Sequence, residues 1–187
     1  MTPAEVLQRV ERVFAERGGG EYHGEPVTQL EHALQCAMLA ERAERPAEWV
    51  AAALLHDIGH FLHNHGEDYL TRGVNDTHEE LGARFLARAF GPAVTEPIRL
   101  HVPAKRYLCS ARPGYFATLS PASVRSLELQ GGPMTAAEVA VFETGPHFAA
   151  AAAVREYDDR AKVVALATPP FAHFRPYLER CLRADTL

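Results

Sequence analysis

His56 and Asp57 follow directly on Trp49 to Leu55 (WVAAALL), a run without a polar side chain. A carboxylate carried into such surroundings must be paired or must hold a cation, because burying it alone is very costly. An imidazole beside it makes one corner of a metal site. His32, His78, His101 and Asp158 supply the others. Four imidazoles and two carboxylates are too many for one tetrahedral zinc and suit two first-row metal ions sharing a carboxylate. Asp57 lies between the two groups and is the natural bridge. Asp159 rivals Asp158, but one residue turns a helix by about 100°, so only one of the pair can face the centre. A lone histidine on an apolar face is more often core than ligand; it is the ordered set around His56-Asp57 that carries the metal reading.

These residues need elements that converge. The apolar spacing of Val6, Val10, Val13 and Phe14 predicts a first helix over 3–17, stopped by Arg17–Gly20 (RGGG). A loop, EYHGEPV, leads to a capping box, Thr28 with Glu31, and a helix to about Arg45 bearing His32. Pro46 opens the central helix, which is apolar on every face and runs into His56-Asp57. After the polar loop NHGEDYLTRGVND, Thr77 with Glu80 reads as a second capping box, starting a helix with His78 at its head. A helix over 94–109 carries His101 and Lys105, with Pro103 expected to kink it. Ser120-Pro121 opens a short helix, Thr135 with Glu138 makes a third box, and a long Ala-rich helix, FAAAAAVREYDDRAKVVAL, carries Asp158. FRPYLERCL forms the last helix, and no stretch reads as a convincing strand. The expectation is an all-α bundle, a single domain over 1–187 with its metal core at about 22–162.

The chain has 187 residues, 47% of them hydrophobic, enough for a core of this kind. A net charge of −5 without a Lys/Arg-rich run gives no reason to expect nucleic acid. No apolar run is long enough for a membrane span, and the N-terminus does not read as a signal peptide. Cys36, Cys109 and Cys181, widely spaced, fit a reducing cytoplasm. Ten histidines form a compositional hint of metal chemistry.

The pattern H…HD…H…H…D resembles that of the HD-domain superfamily, most members of which are metal-dependent phosphohydrolases of nucleotides. The flanks narrow the resemblance: YHGE at 22–25, QLEHALQCA at 29–37, LLHDIGH at 54–60, HVPAKRYL at 101–108, LELQGGPM at 127–134 and REYD at 155–158. From about Glu21 to Lys162 the chain resembles the HD-domain mixed-valent di-iron oxygenases of phosphonate degradation. That resemblance implies one iron on His32, His56, Asp57 and Asp158, and a second on Asp57, His78 and His101. It implies that Tyr22 caps the first iron until substrate displaces it, with Glu25 as partner near the substrate's cationic end. It implies that His60, Lys105, Ser123, Ser126 and Arg155 hold the phosphonate and order the pocket. The implied reaction uses O2 and the Fe(II)/Fe(III) pair to break the carbon–phosphorus bond of a 1-hydroxyphosphonate. The substrate would be 2-amino-1-hydroxyethylphosphonate or its N-trimethyl analogue, and the products phosphate and glycine or glycine betaine.

The residue chemistry agrees. Lys105 and Arg155 can give a phosphonate dianion charge-assisted donors, and Ser123 and Ser126, near neighbours on one helix, add hydroxyls. Lys105 lies one turn after His101 and Arg155 one turn before Asp158, so both lean towards the metals. A divalent-metal phosphohydrolase of nucleotides is the alternative; it has less need of a displaceable phenol, so Tyr22 favours the oxygenase. The substrate's amino end stays open between ammonium, trimethylammonium and hydrogen. Loop 61–77 and Glu25 are expected to shape that end, with Tyr69, Tyr115 and Phe116 as aromatic candidates. His23, His63, His65, His147 and His173 are assigned to surface or packing.

Overall fold

The structure is a computed structural model that describes residues 1–22, 24–62 and 72–184. His23, His63, His65 and Tyr69 lie outside the described residues. Among those described, nine helices run in order: α1 Pro3–Arg17, α2 Gln29–Arg42, α3 Ala47–Leu55, α4 His78–Leu86, α5 Pro92–Ala111, α6 Pro121–Leu129, α7 Ala136–Glu143, α8 Phe148–Arg160 and α9 Phe171–Cys181. The fold class is all-α, as the sequence predicts.

α3 is the axis of the bundle. Val50 to Leu55 are all buried, and the helix packs against α2, α5, α8 and α9. A helix without a solvated face is stable only when covered on every side, by apolar side chains such as Cys36, Met38, Ile98, Val154, Phe174 and Leu178 here. α5 lies along α8 and α4, so the histidine of α5 and the aspartate of α8 face the end of α3.

The boundaries differ from the sequence reading in instructive places. Thr28 and Thr135 form full capping boxes with Glu31 and Glu138. Thr77 does not: its backbone is left-handed (φ 49°) and its side chain caps nothing, because the residues before α4 are committed to placing Asp76 and His78. α3 ends at Leu55, so His56 and Asp57 sit on a turn beyond its last residue, followed by a 3-10 turn at Ile58–Phe61. α8 ends at Arg160, and its chain leaves helical geometry at Ala161, whose carbonyl is used elsewhere. The loop EYHGEPV contains a two-stranded antiparallel hairpin, β1 Glu21–Tyr22 with β2 Glu25–Thr28, in which Gly24 takes φ +79°. Six strand residues with Pro26 exposed in the second strand leave little periodicity to read.

Gly59 is the close-packing point that seats α4. A side chain there would overlap the carbonyl of His78, and Gly82 faces the backbone of Gly59 across the same contact. This approach brings the head of α4 down onto the turn after α3. Gly59→Ala should therefore cost about 3 kcal/mol through overpacking, read as a lowered denaturant midpoint; an unchanged midpoint would show that the contact can relax freely.

Candidate metal centre

Four imidazoles converge on Asp57 through the same ring nitrogen. Nδ1 of His32 donates to the Ala161 carbonyl (2.9 Å), that of His56 to Ala53 (2.9 Å) and that of His101 to Ile98 (2.7 Å). Nδ1 of His78 donates to the carboxylate of Asp76 (2.9 Å). Carbonyls and carboxylates only accept, so each Nδ1 carries a proton and Nε2 is the nitrogen left facing the centre to bind a metal ion.

The Nε2 atoms meet in two pairs. His32 and His56 stand 3.3 Å apart, and His78 and His101 3.2 Å apart. Facing lone pairs repel unless a cation lies between them. Asp57 divides its oxygens between the pairs: Oδ2 lies 3.3 Å from His56 and 3.7 Å from His32, Oδ1 3.4 Å from His78 and 3.5 Å from His101. Asp158 Oδ1 completes the first group, 3.5 Å from His32. Bonds of about 2.1 Å put neighbouring donors about 3.0 to 3.4 Å apart around an octahedral or tetrahedral ion. The spacings here fit two such ions sharing Asp57, and the donor set suits first-row metals.

The electrostatics divide the groups of the centre. Burial pushes His32 down to about 4 and holds His101 well below its ordinary value. Burial also opposes charge on His78, but the hydrogen bond to Asp76 outweighs it and carries this ring up to about 9. Burial would raise Asp158, yet Arg155 outweighs it and keeps the carboxyl far below the usual range. His78 thus holds a second proton at neutral pH, and a metal ion bound at its Nε2 would take that proton's place beside the ionised carboxylates.

Tyr22 closes one side. Its ring stacks on His32 at 3.9 Å, and its hydroxyl lies 2.8 Å from Asp57 Oδ2 and 3.3 Å from Asp158 Oδ1. Burial, then Asp158 and Asp57, push the phenol's pKa well up, so without metal it stays protonated. Behind the centre, Cys36 packs 3.7 Å from His32.

A pocket opens beside the centre. Of the residues assigned to substrate, Tyr22, Glu25, His60, Lys105, Ser123, Ser126 and Arg155 all line it, with Asp57, His78, His101 and Asp158 in its floor. Lys105 is almost fully buried, donates to Ser126 Oγ (2.6 Å) and, through burial first and Arg155 second, is pushed down to about 7. Arg155 pairs with Asp158 (2.7 Å), bonds Asp159 and reaches Ser123 (3.4 Å). Asp159 is thus no rival ligand. It bonds Arg155 and Tyr115 and does not line the pocket.

Four residues have roles that the sequence does not reveal. Asp76 is buried and divides its oxygens between His78 and His60 (2.8 Å), whose rings stack at 3.9 Å. Lys162 lines the pocket and bonds Glu25, Ser120 and Ser123. Tyr115 and Asp159 hold Arg155. Asp76, two residues before a ligand, and Lys162, four after one, carried positional signals; the Tyr115 contact, across the fold, did not. Tyr115 and Phe116, weighed as aromatic contacts for a quaternary ammonium, do not line the pocket: Tyr115 is buried on Arg155, and Phe116 is exposed.

The HD-domain family model matches residues 30–167, the stretch that contains every proposed metal ligand. The chain belongs to the HD-domain family. This HD-domain protein is 49% identical over 182 residues, 97% of its length and 90% of the relative's, to a hydroxymethylphosphonate dioxygenase of Gimesia maris. It is 45% identical over 175 residues, 94% of its length and 89% of the relative's, to a [1-hydroxy-2-(trimethylamino)ethyl]phosphonate dioxygenase (glycine-betaine-forming) of Leisingera caerulea. Among the described residues of the HD-domain protein, no helix is long and apolar enough to cross a membrane.

The shared carboxylate predicts unequal metal losses. Asp57→Asn should abolish binding of both ions, whereas His32→Ala and His101→Ala should each leave one, counted by elemental analysis after anaerobic loading. Equal losses in all three variants would contradict a bridge at Asp57.

Proposed function

We propose that the protein is a di-iron oxygenase that uses O2 to cleave the carbon–phosphorus bond of a 1-hydroxyphosphonate, giving phosphate and a carboxylate. The observation that carries this is the convergence of two histidine pairs on the two oxygens of Asp57, beside a pocket whose wall holds the buried amine of Lys105 against Ser126. The names of the near full-length relatives, both phosphonate dioxygenases, support the same chemistry. The balance is simple: of the two oxygen atoms of O2, one ends in the carboxylate and the other in phosphate. The chain works as a single HD domain, and its free thiols suit the cytoplasm.

Two irons, mixed-valent as Fe(II)/Fe(III), would supply the redox chemistry and the binding of O2. His32, His56, Asp57 and Asp158 would hold one, and Asp57, His78 and His101 the other. The protein's own part is placement. Lys105, Ser126 and Ser123 receive the phosphonate oxygens, since charge-assisted donors in a buried wall bind a dianion strongly. Arg155, fixed by Asp158 and Asp159, orients Ser123 rather than standing free. Tyr22 gives way as the substrate's hydroxyl arrives, and His60, fixed by Asp76, lines the pocket beside His78. Burial of the centre limits water and so protects it from side reactions.

The test is phosphate release from hydroxymethylphosphonate, 2-amino-1-hydroxyethylphosphonate and its trimethylammonio analogue by anaerobically iron-loaded protein, with and without O2. Oxygen-dependent phosphate from any of them is the expected result. Hydrolysis of a nucleotide under Mn(II) or Co(II), with no phosphonate turnover, would instead favour the superfamily's commoner phosphohydrolase chemistry. Tyr22→Phe should keep both irons but alter the resting absorption spectrum; loss of iron would show Tyr22 to be structural.

Lys105 gives a pH signature. Ligand-free, it is charged only below about 7. A bound dianion favours the charged form, so binding above pH 7 should take up a proton, and binding well below it should not. Anaerobic calorimetry at pH 8 in buffers of different ionisation enthalpy should report an uptake that Lys105→Gln removes.

A further inference from the structure

A cationic substituent on the substrate needs a carboxylate, an aromatic face, or both. In the lining of the pocket the protein offers such a pair, Glu25 on β2 and Tyr22 on β1. Both are already engaged by a cation of the chain itself. Lys162 Nζ stands 3.1 Å from Glu25 Oε1 and 5.7 Å from the centroid of the Tyr22 ring, and donates to Ser120 (3.3 Å) and Ser123 (3.4 Å). The ring's stacking on His32 takes up further aromatic surface.

We propose that Lys162 is a specificity-determining residue: it occupies from within the position that an ammonium or trimethylammonium would take, so the preferred substrate is a 1-hydroxyphosphonate with an uncharged substituent, such as hydroxymethylphosphonate. This rests on the oxygenase reading above. Three arguments converge. The Glu25 carboxylate is neutralised at contact distance, so a second cation finds no net attraction there. An incoming ammonium would also meet the Lys162 charge directly, and like charges in one site are an effective means of rejecting a competitor. Finally, the ion pair is only slightly exposed, with both side chains at 13%, so solvent screens it weakly. An uncharged substituent asks nothing of this corner and leaves the pair intact. Lys162 then serves both ends of the site, shaping the substituent corner while its bond to Ser123 supports the phosphonate wall.

The test compares kcat/KM for hydroxymethylphosphonate, 2-amino-1-hydroxyethylphosphonate and the trimethylammonio analogue, under O2, in the iron-loaded full chain. The wild type should favour hydroxymethylphosphonate by about ten-fold or more over either cationic substrate. Lys162→Met should raise the ratio of trimethylammonio to hydroxymethyl turnover by about ten-fold, mainly through KM of the cationic substrate, while Lys162→Arg keeps the wild-type ratio. Glu25→Gln gives an independent check: if Glu25 serves Lys162, all three substrates change by the same factor. A wild-type preference for a cationic substrate, an unchanged ratio in Lys162→Met, or a selective loss of cationic substrates in Glu25→Gln would each overturn the proposal. Failure of the oxygenase reading looks different: no phosphate from any of the three under O2.

Discussion

The Nε2 atoms of four imidazoles and the two oxygens of one carboxylate crowd together in the buried interior of this protein. That arrangement is repulsive unless cations lie between the donors, and the rest of the structure follows from having to hold it. A buried carboxylate such as Asp57 would be intolerable alone. It is tolerable here because every imidazole facing it has its outer nitrogen fixed by an acceptor, three carbonyls and Asp76. The folded chain is therefore built for the charged state of its centre, and metal binding is coupled to the stability of the core.

The bundle serves that requirement by anchoring α3 and letting it end at the right place. Because Val50 to Leu55 are buried all round, the helix end is fixed in position, and the turn that carries His56 and Asp57 inherits that rigidity. α2, α5 and α8 each bring one candidate ligand against this turn, and the Gly59–Gly82 approach adds α4. Ligands spread along the chain thus share one point because one apolar helix is the common neighbour of most of the elements that carry them. Sites built on helices in this way are held more precisely than sites on loops.

The sequence made the centre more legible than the pocket, for physical reasons. A histidine or aspartate next to an all-apolar run signals that burial will force a partner on it, so His56-Asp57 and the ordered histidines could be read directly. Helix type followed from spacing and capping residues at Thr28 and Thr135. The hairpin at Glu21–Thr28 escaped because two very short strands have no period to detect. The Thr77 box failed because capping competes with tertiary demands, and the hydrogen bond from His78 to Asp76 won. Asp76, Lys162 and the Tyr115–Asp159 support of Arg155 were hidden because polar side chains on helix faces and loops look solvated until the fold brings their partners to them. Lys162 illustrates the limit well: as a residue beyond the end of α8 it is ordinary, and only its contacts with Glu25 and Tyr22 give it a meaning.

The central proposal is that one carboxylate joins two irons. The direct measurement is Mössbauer and electron paramagnetic resonance spectroscopy of the iron-loaded protein, poised by one-electron oxidation of the fully reduced form. Two irons bridged by Asp57 should appear as a spin-coupled Fe(II)/Fe(III) pair with a single low-spin-like resonance from the coupled ground state. Spectra of two uncoupled irons, or of a single ion per chain, would contradict the shared centre on which the rest of the reading stands.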